Sequence, residues 1–330
     1  MTKVFVTGAS GFIAKHILRE LLEKGYDVRA SVRSERRKAE IEALFPGAAL
    51  EFAFLDLTKD EGWETAMAGC DVLMHTASPF PLGEPKDPET LIRPAVDGTL
   101  RALKAAKAVG IKRVILTSSC AAIYKDASKP KTAPSTEANW TDVNDPSVGA
   151  YEASKTMAEK AAWDFVAENP QMELTTINPG GVFGPSMDAH YGTSLEIVEQ
   201  MITGKVPMAP PMNLVLVDVR DVARMHVAAI DLETAKGERF AASTDTLQFV
   251  EMGRILKNWD ASTKAPTRAL PQWLVRILGR FVPDLKPILA NLGRNLAVSG
   301  AKAERAFGFK FIPAEDALIA SAESIRQFSK

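Results

Sequence analysis

The sequence is poor in the residues that build covalent or metal-centred frameworks. Only two cysteines, Cys70 and Cys120, occur in 330 residues, too few for a disulfide scaffold or a metal cluster by themselves, which favours a reducing compartment. No His-Glu-x-x-His, Cys-x-x-Cys or Gly-x-Ser-x-Gly pattern occurs, so zinc-hydrolase and serine-esterase mechanisms have no support. Charge of one sign is lacking too: 40 basic against 41 acidic side chains leave a formal charge of -1, with no global attraction for nucleic acid or an anionic bilayer. No apolar stretch approaches the roughly 18 residues of a membrane span, and Met1-Thr2-Lys3 runs straight into Val4-Phe5-Val6 and a glycine turn rather than a signal-peptide core. A cytoplasmic protein with no membrane or nucleic-acid partner is expected, and the Asn139-Trp140-Thr141 glycosylation match is then chance. Glycine and proline, at 21 and 20 residues, are too few for a fibrous or disordered chain.

What is present is a regular alternation of two periodicities. Short apolar or β-branched runs stand at 4–7, 28–32, 50–55, 72–75, 114–117 and 174–177. Helical patterns separate them, as in Ile13, Ile17, Leu18 and Leu21, then Val96, Leu100, Leu103 and Ala106, and a third from near Tyr151 to Val166. Strands spaced by such segments predict an α/β fold, a Rossmann-type doubly wound parallel sheet with helices on both faces. Another run, Leu214 to Val217, precedes the helix-capping Asp221-Val222-Ala223-Arg224 and is expected to return the chain to that sheet. The spacing therefore predicts a dinucleotide domain of 1–178 plus 213–236. A smaller, mostly helical substrate lobe is predicted from 179–212 plus 237–330. Pro- and Gly-rich stretches at 78–88, 126–146 and 178–185 follow strands, which places them at the carboxyl edge where open α/β sheets bind ligands.

Gly8-Ala9-Ser10-Gly11-Phe12-Ile13-Ala14 follows the first strand and opens the first helix. Gly8 permits a tight turn, and Gly11 permits a pyrophosphate to approach the backbone and the free N–H groups of the helix end. An NAD site usually has Asp or Glu at the end of the second strand, about 20 residues on. Here the sequence reads Ser31-Val32-Arg33-Ser34-Glu35-Arg36-Arg37-Lys38. Arg33 and a later basic residue can grip a 2′-phosphate, with Ser31 or Ser34 adding a hydrogen bond, so NADP is expected.

Tyr151 and Lys155 are four residues apart on one face of a predicted helix. The ammonium and a positive nicotinamide ring are expected to stabilise phenolate and lower the tyrosine pKa toward neutrality, so that Tyr151 gives a proton to a carbonyl as hydride arrives. Ser119, at the end of the fifth strand, is placed to hold the carbonyl oxygen.

These features resemble the extended short-chain dehydrogenase/reductase superfamily, and within it the dihydroflavonol 4-reductase, cinnamoyl-CoA reductase and microbial aldehyde/ketone reductase group. The resemblance runs from residue 2 to about 230. It rests on Thr7-Gly8-Ala9-Ser10-Gly11-Phe12-Ile13-Ala14, Asp56-Leu57, His75-Thr76-Ala77-Ser78-Pro79, Val96-Asp97-Gly98-Thr99, Thr117-Ser118-Ser119, Tyr151-Glu152-Ala153-Ser154-Lys155, Asn178-Pro179-Gly180 and Asp218-Val219-Arg220-Asp221-Val222-Ala223. It implies Tyr151 as the acid in reduction, Lys155 as its partner and ribose ligand, and Ser119 as the catalytic serine. It further implies cofactor contacts from Thr7, Gly8, Ser10, Gly11, Phe12 and Ile13, from Arg33 and Lys38 at the 2′-phosphate, and from Asp56 and Leu57 at the adenine. Thr76, Ala77, Ser78 and Thr117 are implied along the pyrophosphate and ribose, Pro179, Gly180 and Val182 at the nicotinamide, and hydride delivery from the pro-S face. The chain departs from many extended members at Ala95, where they carry Asn before Val-x-Gly-Thr.

Substrate contacts are expected from 78–82, 120–125, 187–194 and the helical tail, which offer Phe80, Tyr124, Phe183, Met187, Tyr191 and Trp273. That apolar lining suits an aryl or alkyl carbonyl, with packing of one lobe on the other as the alternative role for Phe183, Met187 and Tyr191. His190 is within the same loop, His75 is expected beside the cofactor, and no metal site is expected. The reading is NADPH-dependent reduction of a small-molecule aldehyde or ketone by a monomer or homodimer. A nucleotide-sugar epimerase or dehydratase and a non-catalytic NADP-sensing protein are the alternatives; Arg276, Arg280 and Arg294 keep the first open.

Overall fold

The computed structural model describes residues 2–79, 85–128, 132–279 and 286–328. Ten strands are present among them: β1 (Lys3–Thr7), β2 (Asp27–Val32), β3 (Leu50–Phe54), β4 (Val72–His75), β5 (Arg113–Thr117), β6 (Glu173–Pro179), β7 (Gly181–Phe183), β8 (Asn213–Asp218), β9 (Glu238–Ala242) and β10 (Asp245–Gln248). The helices are α1 (Phe12–Glu23), α2 (Glu35–Leu44), α3 (Trp63–Met67), α4 (Glu89–Ala108), α5 (Ala150–Ala167), α6 (Thr193–Thr203), α7 (Val219–Ala228), α8 (Phe249–Trp259), α9 (Gln272–Leu278), α10 (Lys286–Asn291), α11 (Ala301–Phe307) and α12 (Ala314–Phe328).

A seven-stranded sheet runs β3-β2-β1-β4-β5-β6-β9, every pair parallel. Near-continuous apolar strands such as Val4-Phe5-Val6 are fully buried because both faces are covered. On one face, α1 and α7 pack with Ile17, Leu18, Leu21, Val222 and Met225 against Val4, Val6 and Ile115. On the other, α4 and α5 lie over Phe5, Leu73, Val114 and Leu174. The order reverses between β1 and β4, which opens a crevice at their carboxyl ends.

A three-stranded sheet, β10-β8-β7, with α6, α8 and α12 forms a second core around Phe183, Leu195, Met201, Leu216, Met252 and Leu318. One expectation is corrected here. The run at 214–217 does not return to the large sheet: β8 pairs with β7 and β10, and the place beside β6 is taken by β9. The reason is a close backbone approach between segments distant in sequence. The strand breaks after Pro179, and Gly180 lies so near β8 that a Cβ there would stand 2.6 Å from the Val215 carbonyl oxygen. The turn at Gly237, with φ of +73° and its N–H bonded to Leu174 O at 2.8 Å, feeds β9 in alongside β6 instead. The smaller lobe thus carries a sheet as well as helices.

Candidate active site

The β1-to-α1 turn is shaped for close approach. Gly8 adopts φ of +65°, and a Cβ there would meet Ala77 Cα at 3.0 Å, so the turn presses directly on the end of β4. Gly11 is the N-cap of α1, no side chain caps the helix, and no acidic residue stands in its first turn. The N–H groups of that turn are left for an anion. Ser10, Phe12 and Ile13 border them, part-exposed. Thr7 takes a different place from the one expected: it is wholly buried. Its hydroxyl accepts the N–H groups of Thr76 (3.0 Å) and Ala77 (3.1 Å), so its own proton goes to His75 Nδ1 at 2.9 Å. Thr7 ties β1 to β4 and cannot itself touch a ligand, and His75 carries its proton on Nε2. Burial, with the nearby Lys155 charge, pushes the His75 pKa down to about 3.

At the end of β2, Ser31 Oγ accepts the Gly8 N–H at 3.1 Å and Ser34 Oγ caps α2. Arg36 and Arg37 pair with Glu40, and Lys38 stands 3.8 Å from Glu42 and over the Phe52 ring. Arg33 is exposed and has no ion pair among the described residues. Asp56, beside it, turns its carboxylate onto the Thr58 N–H (2.9 Å) and hydroxyl (2.7 Å), which hold its pKa down. Leu57 fits against α4 only because residue 98 is glycine: a Cβ there would lie 2.5 Å from Leu57 Cγ. These residues fit a dinucleotide with a 2′-phosphate, with a glycine cradle, an uncapped helix end and an unpaired cation at the β2 terminus.

Across the crevice, β5, β6 and α5 bring Ser119, Tyr151, Lys155 and Pro179 together. Ser119 hydrogen-bonds the Tyr151 side chain, and its Oγ also accepts the Ala121 N–H (3.1 Å) and lies 3.5 Å from Pro179 O. Lys155 Nζ stands 5.9 Å from the Tyr151 ring centre. The Tyr151 pKa is raised in this structure. Burial dominates and pushes it up to about 12, against the opposing Ser119 hydrogen bond, while burial pulls Lys155 down to about 8 against the nearby Glu159 charge. At neutral pH the phenol is therefore fully protonated, the form that donates.

Several supports were not legible in the sequence. Glu159 is one turn beyond Lys155 with no exposed side-chain surface. It accepts from Ser118 Oγ (2.5 Å), Asn178 Nδ2 (2.6 Å), Thr176 Oγ1 (3.0 Å) and Arg239 Nε (2.7 Å). Asn178 also donates to Ser119 O at 3.2 Å, so the carboxylate braces both strand ends beneath the site. Glu152 holds the start of α5, accepting the Gly149 N–H at 2.6 Å and Lys125 Nζ at 2.7 Å. The signal for Glu159 was its repeat at 151, 155 and 159 on one helical face, between the buried Ala158 and Ala162.

The other expected contacts divide. Thr117 Oγ1 is bonded to His226 Nε2 at 2.7 Å, while His226 Nδ1 donates to Val222 O, which turns Thr117 toward α7. Gly180 and Val182 continue from Pro179 along the edge beside β8, and Ser78 is part-exposed after β4. Tyr124 is held near Glu152 at 3.4 Å. Phe183 is corrected to a packing residue: it has no exposed surface and sits in the smaller lobe's core. Tyr191 packs on the rim of that core, Met187 is part-exposed, His190 is exposed, and Trp273 is 62% exposed on α9. Phe80 lies outside the described residues. No cluster of potential metal ligands and no helix long and apolar enough to cross a membrane occur among the described residues.

Residues 4–242 match the model of the NAD dependent epimerase/dehydratase family. The chain is 38% identical over 266 residues to a Candida albicans protein named as an NADPH-dependent methylglyoxal reductase, covering 72% of this chain and 77% of that one. It is 34% identical over 335 residues to a cinnamoyl-CoA reductase of Medicago truncatula, covering 98% and 95%. The crystal structure of a yeast methylglyoxal/isovaleraldehyde reductase with NADPH superposes with a TM-score of 0.81 at 29% identity, over 99% of each chain.

Proposed function

Because the chain belongs to the NAD dependent epimerase/dehydratase family, we propose that it is an NADP-dependent oxidoreductase that reduces an aldehyde or ketone, of aryl or alkyl type, to the alcohol. The observation that carries the chemistry is the Ser119–Tyr151 hydrogen bond with Lys155 beneath it, at the carboxyl edge of the sheet beside the glycine turn. NADPH, when bound, supplies the hydride. The uncapped turn of α1 and Arg33 would hold its phosphates, and Lys155 would hold its ribose.

Ser119 donates a hydrogen bond to the substrate's carbonyl oxygen and so favours the charge that grows there as the carbon is reduced. Tyr151 gives its phenolic proton to that oxygen, which leaves the alcohol and a phenolate. The Lys155 ammonium stabilises the phenolate until a solvent proton restores it. Glu159 keeps positive charge on Lys155 against the cost of burial. The substrate is proposed to lie between the sheet edge and the smaller lobe, near Met187 and Tyr191. Carbonyl reduction by the relatives supports this reading.

The test is spectroscopic loss of NADPH with the purified protein across aliphatic aldehydes, aromatic aldehydes, β-ketoesters and UDP- or dTDP-sugars. Turnover of the carbonyls and not of the sugar nucleotides is expected. Turnover of sugar nucleotides without net loss of NADPH would overturn the reading in favour of an epimerase.

A further inference from the structure

Two consecutive residues of the cofactor helix grip the segment that carries the substrate-side residues. Lys15 and His16 lie on the buried face of α1, one turn past the glycine cradle. The side chain of Lys15 is 3% exposed, and its three ammonium protons find three acceptors: Asp188 Oδ2 at 2.6 Å, Asp188 Oδ1 at 2.7 Å and the His190 carbonyl at 3.2 Å. His16 Nε2 meets Pro185 O at 2.9 Å, and burial keeps that imidazole neutral, with its pKa pushed down to about 4. From the opposite side, α12 holds the same segment: Ser321 Oγ accepts the Gly184 N–H at 2.7 Å, and Ser324 Oγ accepts the Ser186 N–H at 2.9 Å. Within the segment Asp188 also accepts the His190 N–H at 2.9 Å, so a single carboxylate both folds the loop and docks it.

We infer that Lys15 is a positioning residue for substrate recognition. Through Asp188 it fixes the chain between Gly184 and Tyr191 against the cofactor helix, and so presets Met187 and Tyr191 beside the reacting carbonyl. Asp188 lies between those two residues, so its anchorage sets where both side chains stand. A lysine at 3% exposure is costly to bury unless fully paired, and here every proton is used. This is a docked wall with one ionic pin. The inference rests on the reductase reading above for its catalytic consequence, though not for the pin itself.

Lys15→Met removes the pin with little change of volume, and the remaining Asp188 carboxylate, 19% exposed, can hydrate, so the fold should persist. Three readouts separate the possibilities. Hydrogen exchange of 184–191 should accelerate at least tenfold in Lys15→Met while α1 and the large sheet hardly change. KM for a bulky carbonyl should rise at least fivefold, with kcat changed less and the NADPH dissociation constant, by fluorescence titration, within twofold. Lys15→Arg should restore most of both effects. Unchanged exchange in 184–191 overturns the pin, whether or not the protein reduces carbonyls. Faster exchange with KM and kcat both unmoved overturns the recognition role and leaves the reductase reading intact. A uniform fall in Tm, kcat and NADPH affinity identifies Lys15 as general packing and also overturns the inference. If the parent protein itself reduces no carbonyl, the reductase reading fails, and the exchange measurement still decides the pin.

Discussion

Arg239 places its Nε–H 2.7 Å from Glu159 Oε1, and the two charges meet in the interior below the site, joining β9 to the helix that carries Tyr151 and Lys155. The guanidinium is stacked 3.5 Å from the Trp140 ring centre and donates from Nη1 to Glu137 O and Asn139 O. The loop after β5, the last strand of the sheet and α5 therefore share one ion pair. Because both partners are desolvated, losing either is far more costly than keeping neither.

Glu159→Gln should consequently destabilise the protein by roughly 3–5 kcal/mol, since Arg239 is left buried without its anion. It should also lower the pH at which reduction declines, because the Glu159 charge is what raises the Lys155 pKa against burial. Thermal melts and a pH profile of kcat/KM check the two effects separately. A stability loss with an unmoved pH limb would confine Glu159 to a structural role.

Cofactor choice should rest on Arg33, the exposed cation without an ion pair at the end of β2. NADPH should bind at least tenfold more tightly than NADH, and Arg33→Ala should shrink that ratio. Loss of one charge-assisted contact costs about 1–3 kcal/mol against the phosphorylated cofactor only. Equal dissociation constants for the two cofactors in the parent protein would refute the assignment.

The pH dependence follows from Tyr151 near 12 and Lys155 near 8. Reduction needs the phenol protonated and the lysine charged, so kcat/KM should be level near pH 6–7 by that Lys155 value and fall as pH rises through about 8. Alcohol oxidation needs the phenolate and should rise over the same range. Tyr151→Phe keeps the ring but has no proton to give. Its turnover should drop by roughly 10²–10⁴-fold with NADPH binding largely retained.

Phe183 and Tyr191 should respond differently to truncation. Phe183→Ala opens a cavity in the smaller lobe's core and should cost about 3–5 kcal/mol of stability. Tyr191→Ala should instead raise KM for a bulky aryl ketone more than for a small aldehyde, since only the larger substrate buries area against it. Equal losses for both substrates with a lowered Tm would move Tyr191 into the packing class beside Phe183.

Elements whose signals are local were legible in the sequence. Six strand runs, the glycine turn and the Tyr151–Lys155 face each follow from short-range sterics and periodicity, and β1 to β6 form within a residue or two of the expected spans. What it could not decide was which strand neighbours which. The apolar run at 214–217 looked like a core strand, yet pairing depends on backbone approach, and Gly180 and Gly181 admit β8 to the second sheet while the weaker Arg239-Phe240-Ala241-Ala242 run takes the edge of the first. The fate of polar side chains was equally non-local. Thr7 turns inward because the N–H groups of Thr76 and Ala77, just after β4 and about 70 positions away, converge on its hydroxyl. Glu159 is a buried, paired carboxylate rather than a solvated helix charge because Arg239, 80 positions on, arrives beside it. The Tyr151 pKa is raised because burial, which only the closed fold imposes, outweighs the hydrogen bond from Ser119.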